Sequence, residues 1–212
     1  GMMNGLLISY GKLAPFIVTL ATMTIFRGAT LVYTNGNPIT KGLSDTFLFQ
    51  FLGQGYIVGI PFPVIIMFIV FIVLYVLLHK TAFGKSVYAI GGNEKAAYIS
   101  GVKLNKVKII IYSISGIMAS ISGLIITSRL SSAQPTAGAS YEMDAIAAVV
   151  LGGTSLSGGK GRILGTLIGA LIIGVLNNGL NIIGVSAFWQ QVVKGVVILI
   201  AVLIDRFKVV KQ

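Results

Sequence analysis

The segment 154–161, TSLSGGKG, comes nearer to a chemical motif than any other stretch of this sequence. A phosphate-binding loop needs G-x-x-x-x-G-K-[ST]: backbone N–H groups cradle the phosphates, the lysine reaches them, and the hydroxyl holds Mg²⁺. Gly159 and Lys160 fit. Thr154 stands where the first glycine belongs, and Gly161 stands where the hydroxyl is needed. No strand pattern precedes it. The segment therefore predicts no nucleotide site. It predicts a tight turn in which backbone approaches backbone, with Gly152, Gly153, Gly158, Gly159 and Gly161 as a candidate hinge.

Other chemistry-bearing residues are few. The chain has no cysteine, one histidine (His79) and five acids. That excludes disulfides, thiolate metal sites and a histidine metal cluster. No nucleophile–base–acid set and no carboxylate dyad is present, so the chain reads as a non-enzyme without metal or cofactor of its own. Arg27 falls inside an apolar stretch. A charge there is costly and either faces a cavity or finds a partner. It lines an outer vestibule, or it ties the bundle by pairing with Glu142 or Asp144. Asn177 and Asn181 are one helical turn apart and share a face. They hydrogen-bond another helix, worth about 0.6 kcal/mol each on average, or they line a polar translocation path with Arg27.

These residues need elements to carry them, and composition says which kind. The 212 residues are 55% hydrophobic and 10% charged, with mean hydropathy +0.94. A soluble domain carries about 25% charged residues. The expected fold is all-α, a polytopic transmembrane helix bundle forming one domain over residues 1–212. Full spans are predicted over 15–33, 62–78, 107–127, 163–178 and 188–204. The 17 residues of 62–78 cover about 25 Å of a roughly 30 Å hydrocarbon core. A half-length apolar helix is predicted over 142–151. Residues 1–12 read as the tail of an earlier span. Residues 35–61 read as a long, weakly apolar loop with a short helix near Asp45 to Leu52. Ser113, Gly116, Ser120, Gly123 and Thr127 make a stripe of small residues suited to close helix packing, as do Gly165-xxx-Gly169 and Ala170-xxx-Gly174.

The net charge of +11 sits in the loops between spans and follows the positive-inside bias, so no nucleic-acid partner is expected. With 81–108 inside, twelve of the sixteen basic residues fall in inner segments; Arg27, Lys41, Arg129 and Lys194 are the exceptions. The alternation closes if the helix at 142–152 crosses from outside to inside. The tail from Asp205 is then cytoplasmic. Gly1 as first residue, with no signal-peptide pattern, points to a fragment or a processed chain.

The long polar interruption at 81–108 carries a short helix with readable ends. Asn93 suits the N-cap, Glu94 the positive end of the dipole, and Gly101 the left-handed position after the last turn. So short a helix is marginal alone in water and needs a partner surface. It is an amphipathic turn on lipid headgroups, or a docking helix for a cytoplasmic protein.

The order of residues in GGNEKAAYISGV (91–102) resembles the cytoplasmic coupling loop of sugar-import ABC permeases. PFIVTLATMTIFRG, TAFGKSVYAIGGNEKAAYISGV, SRLSSAQPTAG, YEMDAIAAVVLGGTSLSGGKGRILGTLIGALI and NNGLNIIGV carry the same resemblance along nearly the whole chain. The chain is similar to the ribose permease subunits of bacterial sugar-import ABC transporters, in the sugar and branched-chain amino-acid translocator family.

That resemblance implies a permease subunit in the bacterial cytoplasmic membrane, paired with a second copy. Two ATP-binding cassette subunits would sit below and a sugar-binding protein above. It implies that 81–106 is the coupling loop, with Asn93, Glu94, Lys95, Ala96, Ala97, Tyr98, Ile99, Ser100 and Gly101 meeting the ATPase, which binds the ATP. It also implies about ten spans per subunit, of which this chain would supply the C-terminal six or so, packing loosely and not transporting alone. A stand-alone secondary transporter or channel for small polar solutes is the alternative. Such a carrier would place titratable acids or broken-helix carbonyls at the midplane, whereas the acids here fall near span ends or in loops.

Overall fold

A computed structural model describes residues 1–40, 42 and 47–210. Lys41 and Asp45, named among the expectations above, lie outside the described residues. The chain folds as α1 (Met2–Ser9), α2 (Pro15–Thr34), α3 (Phe47–Gln54), the hairpin β1 (Tyr56–Ile57) and β2 (Ile60–Pro61), then α4 (Phe62–Lys80), α5 (Ala82–Gly92), α6 (Glu94–Ile99), α7 (Leu104–Leu130), α8 (Tyr141–Leu151), α9 (Ile163–Ile182) and α10 (Ala187–Val210). Among the described residues, α2, α4, α7 and α9 are long and apolar enough to cross a membrane. Two compact units emerge: residues 1–72 with 98–138, and residues 73–97 with 139–212.

In the first unit α7 is the spine. α1 lies on its first half, with Gly5 against Ile109 and Gly1 against Ser113 and Gly116. Two of the five stripe residues, Ser113 and Gly116, are thereby used inside the chain; Gly123, further along it, has open space beside it. α3 lies on the other end of α7. There the Ser128 hydroxyl, fully buried, accepts from the Gly53 N–H at 2.8 Å and donates to the Phe49 carbonyl. Gln54 Nε2 donates to the Ser128 carbonyl at 3.1 Å and to Ser131 Oγ at 2.9 Å. A backbone pair, Ile39 with Ala133, joins the loop after α2 to the loop after α7. Pro15 opens α2, where its missing N–H costs nothing. Asn35 closes it in the left-handed region at φ 50°, and the Gly36 N–H returns to the Leu31 carbonyl. The loop before α4 differs from expectation by its hairpin, which turns through Val58 and Gly59, both at positive φ.

In the second unit α8 lies along α9. Gly169 faces the Ala148 backbone and Gly165 faces Gly152, so the predicted Gly-xxx-Gly pair is an α8–α9 contact. Ala147, Ala148 and Ile173 form its small core, with Val197 of α10 against them. α10 runs past the expected end at residue 204 as a continuous helix to Val210.

The polar interruption is more ordered than the sequence suggested. Thr81 caps an unforeseen eleven-residue helix, α5, by accepting from the Gly84 N–H at 3.3 Å. α7 begins at Leu104, three residues ahead of the expected start.

Candidate functional site

Asn93 belongs to two helices at once. Its N–H donates to the Ala89 carbonyl and closes α5; its Oδ1 accepts from the Ala96 N–H at 3.0 Å and opens α6. No flexible residue separates the two. Gly101 then ends α6 at φ 84°, its N–H on the Tyr98 carbonyl. Ala97 is the buried residue of α6. It is 4% exposed, so its small side chain is packed within this chain. Tyr98 and Ile99 are the outward apolar residues, at 69% and 85%. Beside them opens a groove of about 560 Å³, bordered by Tyr98, Lys103 and Lys106.

The glycine turn at 152–161 meets α5 directly. A Cβ on Gly91 would lie 2.5 Å from the Gly159 nitrogen, and one on Gly158 would lie 2.5 Å from the Gly91 carbonyl oxygen. Tyr88 Oη donates to the Gly161 carbonyl at 2.8 Å. The ring of His79 stacks on Tyr75 and meets Tyr88 edge-on, which accounts for the lone histidine as a packing residue. Lys160 closes the turn through its carbonyl, which accepts from the Ser155 N–H at 3.0 Å.

A polar cluster ties α8, α9 and α10. Lys194 Nζ lies 2.9 Å from Asp144 Oδ2, with side-chain exposures of 23% and 18%. Asn177 Nδ2 donates to the same oxygen at 3.2 Å. Gln190 Nε2 donates to Asn181 Oδ1 at 2.8 Å. Both asparagines thus hydrogen-bond across helices, and both also line an open pocket of about 320 Å³. The cation on Asp144 is Lys194, and the Arg27 side chain is exposed. Asp144 Oδ1 and Asn177 Oδ1 are buried with no donor among the described residues. Such an acceptor costs about 1–3 kcal/mol if left unmet. Sequence reasoning missed the pair. Its signal was present: a lysine against the positive-inside bias and an acid in an apolar helix, each lacking a local partner.

Residues 1–202 match the family described as the permease component of the branched-chain amino acid transport system. The chain belongs to that family. The permease is 69% identical to the ribose import permease protein RbsC of Bacillus subtilis over 97% of its own length and 63% of the relative's. It is 56% identical to the protein of that name in Escherichia coli K12, over 98% and 65%. It is 36% identical to the xylose transport system permease protein XylH of Haemophilus influenzae, over 97% and 70%. The chain thus spans somewhat under two thirds of the ribose permeases it matches. No solved structure matches it. Family and apolar helices together make the permease a multi-pass protein of the bacterial inner membrane.

In the full-length permease, Lys194→Met should lower thermal stability by leaving Asp144 without its cation. Breaking a fully buried pair costs about 3–5 kcal/mol. With about a fifth of each side chain exposed, about 1–3 kcal/mol is expected. Adding Asp144→Leu should restore most of the loss in a melting experiment. A double variant no more stable than Lys194→Met would contradict the pairing account.

Proposed function

We propose that this chain is the translocating part of a permease subunit in an ATP-driven importer, and that its cargo is ribose. The observation that carries this is the 69% identity to a ribose import permease across 97% of the chain. The subunit has no chemistry of its own. An ATP-binding cassette subunit hydrolyses the ATP, a sugar-binding protein delivers the cargo outside, and a second permease copy completes the path.

The geometry supports a route for the coupling. α6 offers Tyr98 and Ile99 to the ATPase. Asn93 passes any movement of α6 to α5. α5 passes it, through Gly91, Gly158 and Gly159, to the turn between α8 and α9. Those two helices carry Asp144 and Asn177, so the 152–161 turn serves as the hinge. Arg27, Asn177 and Asn181 belong to the polar path.

Deleting the permease gene should abolish ATP-dependent ribose uptake in cells that keep their binding protein and ATPase. Retained ribose uptake with loss of another sugar would overturn the cargo. Uptake that survives ATP depletion and collapses with the ion gradient would overturn the importer.

A further inference from the structure

The pocket among the first turn of α8, the end of α9 and the start of α10 is lined by Tyr141, Asp144, Asn177, Asn181, Gln190 and Lys194. Its about 320 Å³ falls at the small end of ligand pockets, roughly 300–1,000 Å³. Asp144 and Lys194 cancel in charge. A cation would meet the Lys194 ammonium and an anion the Asp144 carboxylate, so a neutral ligand suits the site. The lining mixes acceptors with amide and ammonium donors. Asp144 Oδ1 and Asn177 Oδ1 take no donor among the described residues. Their terminal torsions are broad, so a small turn presents either oxygen to the pocket. A hydroxyl group both donates and accepts, which a charged group cannot do at both kinds of partner. The exposed ring of Tyr141 adds an apolar face beside a polar tip.

We propose that this pocket is a low-affinity subsite for a neutral polyhydroxylated ligand, whose hydroxyls donate to Asp144 and Asn177 and accept from Lys194. It rests on the sugar-importer reading and adds to it a place where the permease itself holds the cargo in transit.

The test uses the full-length permease with its ATPase in proteoliposomes, carrying Tyr141→Cys as its one cysteine. The rate of modification by a membrane-impermeant thiol reagent is measured with ribose, and with choline chloride at the same concentration. At ten times its Kd a ligand leaves about one site in ten open, so labelling should slow about tenfold. Choline should have no effect. Asn177→Leu, which leaves the Asp144–Lys194 pair in place, should abolish the protection while the cysteine still labels.

Unchanged labelling under ribose, in an importer whose wild type takes up ribose, overturns the subsite and leaves the proposed function standing. Protection that persists in Asn177→Leu, or that choline reproduces, also overturns the subsite. A wild-type importer that takes up no ribose overturns the reading on which the subsite rests.

Discussion

Ile99→Asp should leave the permease in the membrane and strip it of its ATPase. Ile99 is 85% exposed, so the fold does not depend on it. On a docking helix it is the kind of apolar anchor that carries binding energy, about 2 kcal/mol or more when lost. That corresponds to roughly 30-fold weaker association, and aspartate adds a desolvation penalty. Co-purification of the ATPase with the full-length permease reads the result. Ala97→Arg serves as the contrast. Because Ala97 is buried in this chain, arginine there should disturb the α5–α6 region itself, abolishing uptake together with a measurable loss of thermal stability. If Ile99→Asp keeps near-normal association and uptake, α6 is a surface turn and not a docking helix.

Gly91→Val should stop transport by a different route. A Cβ at Gly91 lands 2.5 Å from the Gly159 nitrogen, and its neighbours there are backbone, which cannot rotate aside. Overpacking of this kind costs about 1–3 kcal/mol, which at about 2–4 °C per kcal/mol for a chain of this size lowers the melting temperature by roughly 2–12 °C. Ribose uptake should fall at least tenfold. Gly92→Ala is the adjacent control, since a Cβ there meets nothing within 4 Å. It should transport near normally. Equal damage from both variants would mean that loss of backbone freedom, and not the close contact, matters here.

The apolar spans were legible because a bilayer demands long unbroken apolar runs. Pro15 and Asn35 even marked the ends of α2. The capping of α6 was also legible, since Asn93 and Gly101 act through groups within a few residues of themselves. α5 was not. Gly84, Gly91 and Gly92 give 82–92 the composition of a loop, and its glycines pay for themselves only once Leu78 and the 158–159 turn are packed against them. The hairpin hid because Val58, a β-branched residue, takes a positive φ that its type disfavours. Ser128 gave no signal of its own in the sequence; its hydroxyl proved to be a junction for α3. Asp144 and Lys194 lie fifty residues apart, and Lys194 read only as an outlier to the charge bias.

The meeting of Gly91 with Gly158 and Gly159 has a mechanical meaning. Most contacts between helices are cushioned by side chains, which can change rotamer and absorb a small displacement before the next helix feels it. Here main chain rests on main chain, and there is no rotamer to turn. Peptide geometry is stiff, so α5 and the 152–161 turn mesh like gear teeth cut without backlash. A push of a fraction of an ångström on one side arrives on the other as a push, with little lost to slack.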